Sequence, residues 1–306
     1  MIRSKYEIEA LGLALAAALC LPATFCQHAP AHVTRTADTV KIGRTLVWSD
    51  EFNGPNGSMP DPKKWDVITN DSGYGNRELE YYTGRSANVH ETNGDLAITA
   101  RKETFTGPDG QKRGYTSARI ESRGRFDVQY GRIEARIKMP RGKGLWPAFW
   151  LLGSNFKEIG WPACGEIDVV ENVGFEPFTV HGSLHGPGYS GAHPLSGTYK
   201  LPGNTRFSDG FHVFAIEWEP KEIRFYVDNH LYETQTASSL PANEPWAFDH
   251  PFFIVLNLAV GGYWPGDPDA TTHFPETMLV DYVRVYRLSK QKTILDSAAN
   301  SRATEN

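Results

Sequence analysis

Residues 165–174 read GEIDVVENVG, and the placement of their acids decides how the chain folds there. Glu166, Asp168 and Glu171 sit among Ile167, Val169, Val170 and Val173. Runs rich in Ile and Val favour strands, and positions i, i+2 and i+5 share no helix face. Side chains of a strand alternate, so Glu166 and Asp168 fall on one side, Ile167 and Val169 on the other. Regular alternation would then send Glu171 into the core, where an unpaired carboxylate costs several kcal/mol. One extra residue at Val169–Val170, a β-bulge, restores the parity. The stretch therefore predicts a bulged strand with three carboxylates on one open face.

The same texture continues outward. Short alternating or β-branched runs recur, among them TLVWSDEF, DLAITARK, RIEARIKM, FHVFAIEWEP, EIRFYVDN, FFIVLNLAV and MLVDYVRVYRL, with turn signals such as NGPNGS, TNGD, GPDG and GDPD between them. Many short strands with no long helical period predict an all-β sandwich or barrel. Short helical turns are expected at 62–66 and 236–243. In RIEARIKM, Ile133, Ala135, Ile137 and Met139 form a dry face, and Arg132, Glu134, Arg136 and Lys138 a wet one. FFIVLNLAV is apolar almost throughout, so that strand is expected to be covered on both faces.

The chain has 306 residues, enough for one large core, with 40% hydrophobic and 12% aromatic residues. Its net charge of -5 and the lack of a basic stripe argue against nucleic acid as a partner. The 8 Trp and 13 Tyr suit neutral, hydroxyl-rich ligands better. MIRSK followed by the apolar run Leu11–Leu21 reads as a signal peptide, with Ala29-Pro30-Ala31 as a cleavage pattern and a cut near Cys26 as the other choice. That run is too short to span a bilayer comfortably. The expected layout is a signal peptide over 1–31, a linker over 32–44, one domain over 45–288 and a polar tail over 289–306. The mature protein is expected to be secreted or periplasmic, off the membrane and monomeric. Of the 3 Cys, only Cys164 lies clearly beyond the leader, so no internal disulfide is expected, and Cys164 reads as a small buried apolar residue.

Three readings suit the acids. Three carboxylates can hold a hard cation, or they can form a solvated edge. They can also supply the pair that retaining glycoside hydrolysis needs about 5 Å apart. Four strand rises put the outer Cα atoms roughly 13 Å apart, a gap that two inclined Glu side chains can largely close. Asp168 between them can help hold the two Glu in different protonation states. Trp146 and Trp150 share a strand face, Trp161 precedes the acids, and indole faces pack well on the apolar faces of sugars. His181 and His185 share parity, and His185 can tune an acid or bond a hydroxyl.

Taken together, GEIDVVENVG, LVWSDEFNG, GNRELEYYT, GRIEARIKMPRGKGLWPAFWLLG, HGSLHGPGYSG, NLAVGGYWPG and MLVDYVRVY resemble glycoside hydrolase family 16, its laminarinase-like members above all. The resemblance covers about Thr45 to Arg287. It implies a β-jelly roll of two antiparallel sheets with a concave groove, and a retaining endo-β-1,3-glucanase, with β-1,3-1,4 bonds as a further target. It assigns Glu166 as nucleophile, Glu171 as general acid/base and Asp168 as the assisting carboxylate. Trp146, Trp150 and Trp161 become sugar-stacking residues, and Asn76, Arg85, His185 and Asn257 groove contacts. No cofactor is implied for the chemistry. A structural calcium is, held by Glu51, the Gly94 carbonyl and Asp281. The alternatives on the same fold are a galactan hydrolase of the agarase kind, a transglycosylase, and a β-glucan-binding protein without activity. The last would be expected to lose one or both Glu.

Overall fold

Strand-forming runs separated by turns have one stable solution, which is to pair edge to edge and pack two apolar faces together. The computed structural model describes residues 40–70 and 73–292 and shows this arrangement. Among them, one sheet has ten strands and the other eight. Nearly all pairings are antiparallel, the short Glu80–Tyr82 strand being parallel to its neighbour Lys112–Ser117. A single large core lies between the sheets and joins Ile133, Ala135 and Ile137 of the larger to Phe149, Leu151, Ile167 and Val169 of the smaller. This is the two-sheet jelly-roll sandwich the sequence led us to expect. The leader, residues 32–39 of the linker and residues 293–306 of the tail lie outside the described residues. The domain itself runs past the expected 45–288 boundaries, because the strands Val40–Asp50 and Glu276–Lys292 pair from Val40↔Lys292 onward.

The smaller sheet carries the acids. Its central strands run in the order Leu195–Lys200, Thr179–His185, Glu166–Glu171, Leu145–Gly153 and Phe252–Val260. The bulge is present and appears against both neighbours. Asp168 faces Ser183 while Glu171 faces His181, three steps against two. On the other side Asp168 faces Trp150 while Val170 faces Phe149, two steps against one. The extra residue lets Val169 and Val170 both turn inward, at 1% and 0% exposure. Burying two valines is worth about 1.5–3 kcal/mol each, which helps hold the kink.

Elsewhere the pattern needed correction. The helical turn expected at 62–66 is a single turn over 62–64, with Trp65 N–H donating to Asp61 O at 2.9 Å, and Asp66–Val67 is already strand. The expected turn near 236–243 shrinks to a 3-10 helix at Ala237–Ser239, capped by Thr236. FFIVLNLAV is buried throughout, as its composition implies. On the strand Gly131–Lys138, however, the expected wet face is partly closed: Arg132 is 1% exposed and Glu134 is buried. Arg132 donates to Glu134 at 2.6 Å, lies 3.5 Å from Glu217 and stacks over Tyr226. Paired charges and long side chains cover this outward face, so burial here does not mean apolar.

Candidate active site

The bulge brings Glu166, Asp168 and Glu171 to the face of the smaller sheet that points away from the core. Gly165, at a φ of 71° that suits glycine, turns the chain into this strand. Asp168 and Glu171 are buried at 3% and 8% exposure, and the Glu166 side chain is 18% exposed. The neighbours close over them. Trp146 donates its indole N–H to Glu171 Oε1 at 3.0 Å. Nε2 of His185 lies 3.2 Å from Asp168 Oδ2 and 3.8 Å from Glu166 Oε1.

Burial pushes all three carboxyls up to about 8. The Asp168 charge pushes Glu166 and Glu171 the same way, while hydrogen bonds from Trp146 and Ser183 favour the ionised form of Glu171. Once one of three such neighbours ionises, its charge holds the others protonated. The strand is thus built to keep a carboxylate and a carboxylic acid side by side.

His185 settles between two of the sequence readings. Glu166, Asp168 and His185 bring ligand-type atoms within 4.8 Å of one another, a spacing that would suit a metal. But the backbone N–H of Gly191 donates to His185 Nδ1 at 3.2 Å. A ring that accepts at Nδ1 carries its proton on Nε2, the atom turned to the acids. It offers them a donor and no lone pair, the reverse of what a ligating imidazole presents.

The aromatic residues flank the acids at both ends. Trp161 is 45% exposed and its ring lies 6.1 Å from His185, beside Glu166. Trp146 and Trp150 are the two half-buried residues of an otherwise buried strand, on its acid side. Two residues beyond the sequence reading join them. Trp264 meets Trp146 edge-on at 5.5 Å and His181 at 4.9 Å, and Tyr263 is 73% exposed beside it. Gly261 and Gly262, both at positive φ, turn that loop back over the sheet. The motif NLAVGGYWPG held this signal in its two aromatics after a Gly pair.

Asn257 and Asn76 reach the site through hydrogen bonds. Asn257 accepts from Trp150 Nε1 at 2.7 Å and donates to Tyr82 Oη at 3.1 Å. Asn76 donates its side-chain amide to Glu78. Arg85 belongs to a separate network. It bonds Thr83, Asn88, Thr116 and Glu103 and stacks over Phe105, so it is placed away from the acids, and its expected groove contact stays an expectation. The buried arginine of the site is Arg119, which sequence reasoning missed. It stacks over Trp150 at 4.7 Å and over Tyr74 at 4.5 Å and is ion-paired with Glu121.

The residues named for calcium do not fit it as they stand. Both oxygens of Glu51 accept from Arg284, and Asp281 accepts from Arg136 at 2.5 Å. Guanidinium groups already meet the charge a cation would need, so no functional step is routed through that site. Cys164 is a free, fully buried thiol whose pKa burial lifts to about 11, consistent with packing and not with nucleophilic chemistry.

Comparison with known proteins gives the same direction. Residues 76–284 match the family model of glycosyl hydrolases family 16. The chain is 45% identical over 257 residues to a beta-glucanase of Rhodothermus marinus, spanning 79% of this chain and 85% of that protein. The endo-beta-1,3-glucanase of Pyrococcus furiosus superposes with a TM-score of 0.78 at 49% identity, covering 81% of this chain and 96% of that one. The laminarinase catalytic domain of Thermotoga maritima gives 0.76 at 48% identity, covering 80% and 98%.

Proposed function

This chain belongs to glycosyl hydrolase family 16, and from that premise we propose that it is an endo-acting hydrolase of β-1,3-glucan that retains the anomeric configuration. The observation that carries the reading is the bulge at Val169–Val170, which sets Glu166 and Glu171 on one face with Asp168 between them.

The proposed cycle has two displacements. Ionised Glu166 attacks the anomeric carbon. The bond to the leaving glycosidic oxygen breaks, and that oxygen takes the proton of Glu171. The product of this half is a glycosyl ester on Glu166 and a free reducing-side fragment. Glu171, now a carboxylate, takes a proton from water, whose oxygen attacks the same carbon and releases Glu166. Burial, which keeps Glu171 protonated well above the usual carboxyl range, fits it to the acid role. Asp168 stands between Glu166 and Glu171 and shares the burial that separates their protonation states, and the Nε2–H of His185 faces Asp168 and Glu166. The tryptophans at both ends supply apolar faces for successive sugars of a chain, which suits internal cleavage. The leader-like residues 1–31 support export to the periplasm or the medium.

The test is a product profile of the wild type on laminarin, mixed-linkage glucan, agarose and xyloglucan, beside Glu166→Ala. Laminarin should be cut fastest, to internal fragments of retained β configuration, and Glu166→Ala should be inactive while folding normally. Faster cleavage of agarose would move the substrate to galactans. An α product, or an active Glu166→Ala, would refute the double displacement.

A further inference from the structure

The strand Glu80–Tyr82 and the residues before it hold two buried acids that the reaction does not use. Glu78 is 7% exposed and Glu80 2%. They share a hydrogen bond, and burial with the Glu78 charge beside it raises Glu80 well above the ordinary carboxyl range. Both oxygens of Glu78 accept, Oε2 from Tyr82 and Oε1 from Asn76, so the proton shared between the two acids is assigned to Glu80. The pair is pinned to the end of the strand Phe252–Val260. Leu79 N–H donates to Val260 O, and Val260 N–H donates to Glu80 Oε2, both at 2.7 Å.

From Glu78 a chain of hydrogen bonds runs to the catalytic strand. Tyr82 Oη donates to Glu78 Oε2 at 3.2 Å. Asn257 Nδ2 donates to Tyr82 Oη at 3.1 Å, and Trp150 Nε1 donates to Asn257 Oδ1 at 2.7 Å. One end is an indole, which can only donate, and the other a carboxylate, which can only accept. Every link between them is thereby fixed in direction. Trp150 stands opposite Asp168 across the sheet, with Arg119 against its ring. With its N–H tied and the Arg119 guanidinium on its ring, it is held in one pose.

The other oxygen of Glu78 accepts from Asn76 Nδ2 at 3.2 Å. That bond uses one of the two Asn76 amide N–H groups and fixes which way the amide faces, leaving the oxygen as an acceptor and the second N–H as a donor for sugar hydroxyls. The Asn76 carbonyl also accepts from Tyr263 N–H at 2.9 Å, joining the Tyr263–Trp264 loop to the same group.

We propose that Glu78 is a positioning residue: its buried carboxylate orients Trp150, through Tyr82 and Asn257, and the Asn76 amide, so that both meet the glycan in a single pose. The substrate part of this inference rests on the β-glucan reading above. The contrast between two isosteric variants tests it. Glu78→Gln replaces the acceptor-only terminus with a group that can also donate, and the direction of the chain is lost. Glu80→Gln keeps a neutral donor beside Glu78. Loss of one buried charged acceptor should raise KM for laminarin oligosaccharides about tenfold in Glu78→Gln, with kcat changed by less than about threefold. Glu80→Gln should stay within about threefold in both constants. The Trp150 indole N–H resonance, assigned with Trp150→Phe, should move in Glu78→Gln and stay in Glu80→Gln. That spectroscopic arm reads the chain even where the wild type fails to cut laminarin, so failure of the substrate reading is seen separately, in the wild type. Should Glu78→Gln not fold, Tyr82→Phe cuts the chain midway and should show the same rise in KM. An unmoved KM and indole signal in the folded variant, or equal defects in Glu78→Gln and Glu80→Gln, would overturn the proposal.

Discussion

Trp146 Nε1 donates to Glu171 Oε1 across 3.0 Å, from the strand that neighbours the acids. The bond favours the ionised carboxylate and so holds Glu171 lower than burial alone would. Because Glu171 must carry a proton to act as acid, activity should fall as pH rises through about 8. Trp146→Phe removes the donor and keeps an aromatic side chain, though a smaller one. The alkaline limb of kcat/KM should move to higher pH by roughly one unit. A limb that stays in place would mean another group titrates there.

The bulge can be tested by removing it. Deleting Val170 returns the strand to plain alternation and turns Glu171 inward. Hydrolysis should drop to background, and stability should fall by several kcal/mol, because a carboxyl enters the core. Denaturant unfolding and laminarin assays read the two effects. A deletion variant with normal turnover would show that the kink is not what aligns the acids.

Glu233 supplies a stability test away from the chemistry. It is buried at 8% exposure, Gln235 donates to its Oε1 at 2.7 Å, and its other oxygen faces the Gly197 backbone. Burial pushes its carboxyl up to about 7 from 4.5. The folded protein then holds a proton that the unfolded chain releases near pH 4.5. This contribution is complete at low pH and is lost as pH rises through about 7. At pH 8 the buried charge should cost ~3 kcal/mol. Glu233→Gln should melt with the wild type at pH 4 and at a higher temperature at pH 8. Calorimetry across that range decides it, and a variant that gains nothing at pH 8 contradicts the sign.

Arg119 lies against Trp150 and Tyr74 and is buried against Glu121. Arg119→Lys keeps the charge but loses the planar group that stacks. It should destabilise the fold by about 1–3 kcal/mol and weaken oligosaccharide binding. Thermal melts and a titration on the Glu166→Ala background would measure both, and unaltered values would reduce Arg119 to packing.

The acidic strand was legible because its parity error had one cheap cure, and both of its neighbours register the extra residue. The buried Phe252–Val260 strand was legible from its unbroken apolar run. Arg132 and Glu134 were not, since alternation separates faces but cannot tell open water from a mat of paired charges. Arg119 and Glu78 were invisible for a related reason. Each gains its meaning from partners far along the chain, Arg119 from Tyr74 and Trp150, Glu78 from Tyr82 and, through it, Asn257. Tyr263 and Trp264 stood in plain sight within a quoted motif, but nothing local said that their loop folds back beside Trp146.

The strands Val40–Asp50 and Glu276–Lys292 lie side by side in the ten-stranded sheet, whose partner sheet bears the acids on its far face. The domain's two ends, Val40 and Lys292, therefore leave it as paired neighbours. A tether or a second module joined at either end would start from the sheet that does not carry the acids.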